Sequence, residues 1–173
     1  MAKKESKKLD ELFHDTLKDI YFAEKKILTV LPKMEKAAHR SELKRAFAKH
    51  RAETEGHVDR LEKVFDIMGK KASGKKCEAM QGLIEEGNDV IEEIDASPLR
   101  DAALIAAAQK VEHYEIAAYG SCRTFAEILG RSDAAELLEQ TLEEEKTTDE
   151  KLTELAEGMI NEEAAQSGGG AGA

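Results

Sequence analysis

Tryptophan is absent from this chain, and proline and cysteine occur only twice each. Two cysteines far apart, Cys77 and Cys122, cannot build a disulfide framework, and neither sits in the CxxC spacing of a zinc site. They are expected to be reduced thiols in a cytoplasmic protein. No run approaches the roughly 20 apolar residues of a membrane span. Met1 to Asp10 is mostly lysine and polar residues, without the apolar core of a signal peptide. Positive charge is also in deficit. The formal net charge of −10 argues against a dedicated nucleic-acid binder. No GxSxG, P-loop or dinucleotide fingerprint is present.

With aromatics at 5% and no strand signal, Ala, Leu, Glu and Lys dominate, and these are strong helix formers. At 173 residues the chain is one domain long. Apolar residues recur every three to four positions over four long stretches. The first runs from about Lys8 to Ala37, with a kink or early finish expected at Pro32. The second runs from Ser41, read as its cap, to Met68, where Gly69 stops it. A weaker helix, Cys77 to Ile94, reads as a crossover element. Ser97 and Pro98 then open the third long helix, which ends before Gly130. Asp133 and Glu136 form an expected capping box for the fourth, which runs to about Ile160. The expected fold is all-α: an up-down four-helix bundle of two helical hairpins with a crossover containing an additional short helix. It occupies residues 8–163, between a flexible basic head (1–7) and a disordered Gly/Ala-rich tail (164–173).

On these stripes several polar residues stand where apolar ones belong. Glu24 lies between Ile20 and Ile27 on the first helix, and Glu53 (or Thr54) and His57 lie on the second. Glu112 and Glu115 lie on the third, and Glu145 and Asp149 (or Thr148) on the fourth. Each pair is three or four residues apart and so shares a face. Among 36 acidic residues, some must reach a stripe edge by chance. A lone histidine such as His57 or His50 more often hydrogen-bonds within a core. Recurrence at matching depth on four helices is what points to metal, because buried carboxylates without a counter-cation cost several kcal/mol. Carboxylates with imidazole suit two ions of iron or manganese. Tyr21, Tyr114 or Tyr119 could donate a hydrogen bond at such a site. Glu143 to Glu145 reads as a solvated run with only Glu145 turned inward.

The segments DIYFAEKKIL, HRAETEGHVDRLEKVF, KVEHYEIAAYGSCRTFAEILG and LEEEKTTDEKLTELAE resemble the YciE/YciF family of ferritin-like proteins, from residue 8 to 160. That family is similar in turn to rubrerythrin-type di-iron bundles. The resemblance implies metal ligation by Glu24, Glu53, His57, Glu112, Glu115, Glu145 and Asp149. It also departs from the rubrerythrin pattern. The second-helix pair is spaced i, i+4 rather than i, i+3, the fourth helix has no histidine, and six carboxylates give a formal charge near −6. The rubredoxin-like cysteine domain is absent, so no built-in electron donor is present. The function implied is reduction of oxygen or peroxide at a di-metal site by a stress-associated homodimer in contact through its first two helices. A stress-associated protein with a vestigial or structural metal site is the alternative, and iron storage ranks behind both.

Overall fold

A computed structural model describes residues 8–168. The expected flexible head (1–7) and residues 169–173 of the expected tail lie outside the described residues. Helices follow in the order α1 (Leu9–Ala37), α2 (Ser41–Ile67), α3 (Glu78–Glu93), α4 (Pro98–Ile128) and α5 (Ser132–Leu155). A π turn, Ala156–Ile160, leads into α6 (Asn161–Gly168), so the last helix continues past its expected end at Ile160. No strand occurs among the described residues.

The apolar stripes become the core. Phe13, Leu17, Ile20, Ile27, Leu31 and Met34 are buried along α1, and Glu24 is buried in the same row. Pro32 does not end this helix, which continues to Ala37. Proline removes one backbone donor, but Leu31, Met34 and Ala37 are buried around it and tie both sides of the turn to the core. Packing of an amphipathic face outweighs a local penalty of this kind.

Three expected stops and starts hold. Gly69 (φ 66°) and Gly130 (φ 70°) follow α2 and α4 in the left-handed conformation that glycine tolerates. Ser97 accepts a hydrogen bond from the Arg100 amide at 3.2 Å, with Pro98 next in line. Two expected caps do not form. α2 begins at Ser41 with Arg40 at the cap position, and α5 begins at Ser132 with Arg131 there, neither with a side-chain cap bond. The start of α2 is held across the molecule instead. The buried Asp101 carboxylate of α4 accepts from the amides of His39 (2.6 Å) and Arg40 (2.8 Å). An acceptor on a neighbouring helix has no local signature.

α1 packs on α2 and α4 on α5, through the short connections 38–40 and 129–131. Contacts between α2 and α5 and between α1 and α4 close the ring, and α3 lies against α4 and α1. One level of each long helix therefore meets the corresponding level of the other three. That level carries the charged residues.

Candidate metal centre

Six side chains from four helices converge at mid-height: Glu24 from α1, His50 and His57 from α2, Glu112 and Glu115 from α4, and Glu145 from α5. Each is at most 4% exposed. They form two groups whose ligand atoms lie within 4.8 Å of one another, His50–Glu112–Glu115–Glu145 and Glu24–His57–Glu145. Glu145 belongs to both. The three-residue spacing of Glu112 and Glu115 gives them one face of α4, and the seven residues between His50 and His57 are two helical turns.

Two expected site residues are placed elsewhere. Glu53 turns aside and pairs with Lys49 of its own helix. Thr54 takes the buried position, its hydroxyl bonded to the His50 carbonyl at 2.9 Å. One residue is 100° of helix, so the stripe could not separate these neighbours. Asp149 is also held outside both groups. Its carboxylate accepts from Gln109 at 3.1 Å and lies 3.0 Å from His113 Nε2. Four carboxylates therefore converge where six were expected, and His50 joins as a second imidazole.

The two groups differ electrostatically. Nδ1 of His57 lies 3.0 Å from Glu145 and 3.4 Å from Glu24. Burial opposes its protonation, but these two carboxylates lift its pKa to about 11. Burial likewise opposes ionisation of Glu145, and the His57 contact outweighs it, holding this carboxyl below the ordinary value. His50 Nε2 also lies near a carboxylate, 3.3 Å from Glu112 Oε1, but without a second close carboxylate on the same nitrogen. Its own basicity is lowered, chiefly by burial. Glu112 and Glu115 are pushed well above the usual carboxyl range, by burial first and by the Glu145 charge second. Glu24 is also raised by burial, against the pull of His57.

Many of these polar atoms have no hydrogen-bond partner among the described residues. They are Glu24 Oε2, His50 Nε2, His57 Nδ1, Glu112 Oε2, and both carboxylate oxygens of Glu115 and Glu145. Native interiors leave very few buried polar groups unpaired, so a concentration of them in one place calls for a further partner. Oxygen and imidazole donors so placed could hold a metal ion. Two divalent cations would neutralise four carboxylates.

Behind this layer stand three residues that brace it. Nε2 of His57 lies 2.9 Å from Glu144, whose carboxylate is gripped by Arg60 at 2.6 and 2.8 Å. This orients the imidazole so that Nδ1 faces the cluster. The Tyr119 hydroxyl, wholly buried, donates to Glu24. Its proton is retained, because burial and the neighbouring carboxylates raise its pKa well above the ordinary value. Glu144 was not separable from the solvated run around it by sequence alone.

A family model described as a domain of unknown function (DUF892) matches residues 8–165. Protein YciF of Escherichia coli (strain K12) is 49% identical over 159 residues, which is 91% of this chain and 96% of that protein. The crystal structure of that stress protein superposes with a TM-score of 0.86, covering 90% of this chain and 99% of its own. YcfI of Rhodopseudomonas palustris, described as a candidate structural protein, matches with a TM-score of 0.84 at 39% identity, covering 88% and 98%. No helix among the described residues is long and apolar enough to cross a membrane. All-helical, close to YciF in sequence and in structure, and carrying a buried His/Glu cluster able to hold metal, the chain belongs to the DUF892 family.

Proposed function

We propose that this chain is a ferritin-like four-helix bundle that holds two metal ions, iron in preference to manganese, and reduces oxygen or peroxide in a stress response. The observation that carries this reading is the convergence of six buried side chains, with Glu24 Oε2, Glu112 Oε2 and both Glu115 oxygens lacking a hydrogen-bond partner among the described residues. Bound ions would supply Lewis acidity and electron transfer to the oxidant. The chain's own residues do the rest. Glu145, common to both groups, would contribute its carboxylate to either ion. His50 and His57 would each supply an imidazole nitrogen, one in each group. Arg60 and Glu144 fix the tautomer and direction of His57, as partners behind metal-bound histidines commonly do. Tyr119 holds a proton beside Glu24 and can lend it to that carboxylate's edge of the site. The two electrons for each peroxide reduced would come from an added reductant.

A second reading, a stress-associated protein whose metal site is structural, is favoured by the description of YcfI. Iron storage ranks third. The protein is proposed to be a cytoplasmic homodimer joined through α1 and α2, where Leu12 and Ile67 are exposed at 42% and 40%. Anaerobic iron loading followed by elemental analysis, native mass and peroxide consumption separates these readings. The enzyme predicts about two irons per chain, a dimer and peroxide turnover with an added reductant. Stoichiometric metal without turnover supports the structural reading. A large shell with many irons per chain supports storage, and no retained metal rules out the site.

A further inference from the structure

Beside the candidate metal centre lies a pocket that opens to solvent. Its volume is about 570 Å³, and it runs from His50 and Glu112 toward the end of the molecule where α1 finishes and α2 begins. A space of this volume falls in the range of binding pockets for small molecules, roughly 300–1,000 Å³.

Its walls are apolar, drawn from all four long helices and from α3, with Ile27, Leu31, Met34, Phe47 and Leu152 prominent. Small residues keep it open. Ala46, Ala107 and Ala108 line it, and so does Gly87, where an added Cβ would meet no atom within 4 Å. Along α1 the lining extends from Ile27 to Met34, about 10 Å at 1.5 Å per residue, so the space is elongated along the bundle. Its inner end differs in character. His50 and Glu112, 4% and 2% exposed, sit there with His50 Nε2 3.3 Å from Glu112 Oε1 and with Glu112 Oε2 lacking a hydrogen-bond partner. The outer rim is charged, with Arg45, Lys49 and Lys151 beside Glu42 and Glu154.

The geometry points to an unbranched aliphatic molecule of about eight to ten carbons, ending in a neutral oxygen function, as the occupant of this cavity. The chain lies along the apolar walls, and its oxygen terminus reaches the His50–Glu112 edge of the metal centre. A carboxylate terminus is disfavoured in the metal-free protein, because the inner end already carries Glu112 and, beyond it, Glu115 and Glu145. The binding site stands on the cavity alone. Its role as a substrate site rests on the di-metal reading above.

Calorimetric titration of the full-length, metal-free protein with 1-octanol and with octanoate tests the inference. The expected result is saturable binding of one octanol per chain, about tenfold tighter than octanoate. Gly87→Leu, which fills the wall without touching the charged cluster, is expected to weaken octanol by about tenfold or more while iron content stays at the wild-type level. Circular dichroism confirms that the variant is folded, and Ala108→Phe repeats the test from α4. No saturable octanol binding to the wild-type protein overturns the inference, as does wild-type affinity in both folded variants. Iron retention without octanol binding refutes the cavity and leaves the metal centre standing. Octanol binding without iron retention does the reverse.

Discussion

The two sides of the charged layer solve the same problem differently. On the His57 side, Glu24 and Glu145 face an imidazole that their own charge keeps protonated, and Glu144 with Arg60 secures it from behind. That side compensates itself with a proton. On the His50 side, burial lowers the imidazole's basicity, and Glu112 and Glu115 are driven toward the neutral acid. That side has one 3.3 Å contact, between His50 Nε2 and Glu112 Oε1, and no imidazolium held there by the protein. A metal-free chain should therefore be held together at His57 and strained at His50, and cation binding should relieve the second side most.

Substitution breaks this contrast most strongly at the residue the sides share. Glu145→Ala removes a donor from both groups and the nearer of the two carboxylates at His57 Nδ1. It should abolish metal retention and destabilise the metal-free protein by about 3 kcal/mol, since breaking one partner of a buried pair is strongly destabilising. Elemental analysis and urea unfolding measure the two effects.

Next in size is an effect of opposite sign on the two sides. His57→Leu leaves Glu24 and Glu145 facing each other without a cation, and should cost the metal-free protein about 2–3 kcal/mol. Glu115→Leu replaces a buried carboxyl that has no partner. It should raise metal-free stability by about 1 kcal/mol while lowering the metal stoichiometry. Equal destabilisation by both variants would refute the asymmetry.

A pH series gives a smaller effect, with a sign that can be worked out. Glu24, Glu112 and Glu115 bind protons more tightly in the folded chain than an unfolded carboxyl, whose ordinary value is about 4.5. Their contribution is complete below that value and is lost as pH rises through the folded values. His57 has the same sign, with its contribution complete below 6.5 and lost as pH rises through about 11. Glu145, held low, works the other way and loses its contribution only as pH falls below 4.5. Above pH 6 the raised groups decide the slope, so the urea midpoint of metal-free protein should be lower at pH 9 than at pH 6. Metal loading requires ionised carboxylates and neutral imidazoles, and should flatten or reverse that slope.

The smallest effects belong to residues that periodicity placed in the site and the structure holds apart from it. Glu53→Gln and Asp149→Asn should each leave metal stoichiometry unchanged, because Lys49 and the Gln109–His113 pair occupy those carboxylates. Loss of an ion in either variant would restore them as ligands.

These cases show what a sequence of this kind discloses. Glu24, His57, Glu112, Glu115 and Glu145 were legible because each interrupts an apolar row that has to be buried. Thr54 against Glu53, and Thr148 against Asp149, were not resolved, because adjacent residues straddle the edge of a stripe. His50 lay in plain view on the right face, but a single core histidine has a simpler explanation until its neighbours across the bundle are known. Glycine stops and the Ser97–Pro98 start were readable because their signals are local. The hold of Asp101 on the start of α2, and of Glu144 and Arg60 on His57, depends on residues about 60 to 90 positions away.

The central claim is that six residues hold two cations astride Glu145. Anomalous diffraction at the iron edge, from crystals of the iron-loaded protein, tests it most directly. Two peaks should flank Glu145, one within reach of His50 and Glu112 and the other within reach of His57 and Glu24. An empty anomalous map at mid-bundle, or peaks lying against Glu53 and Asp149 instead, would contradict it.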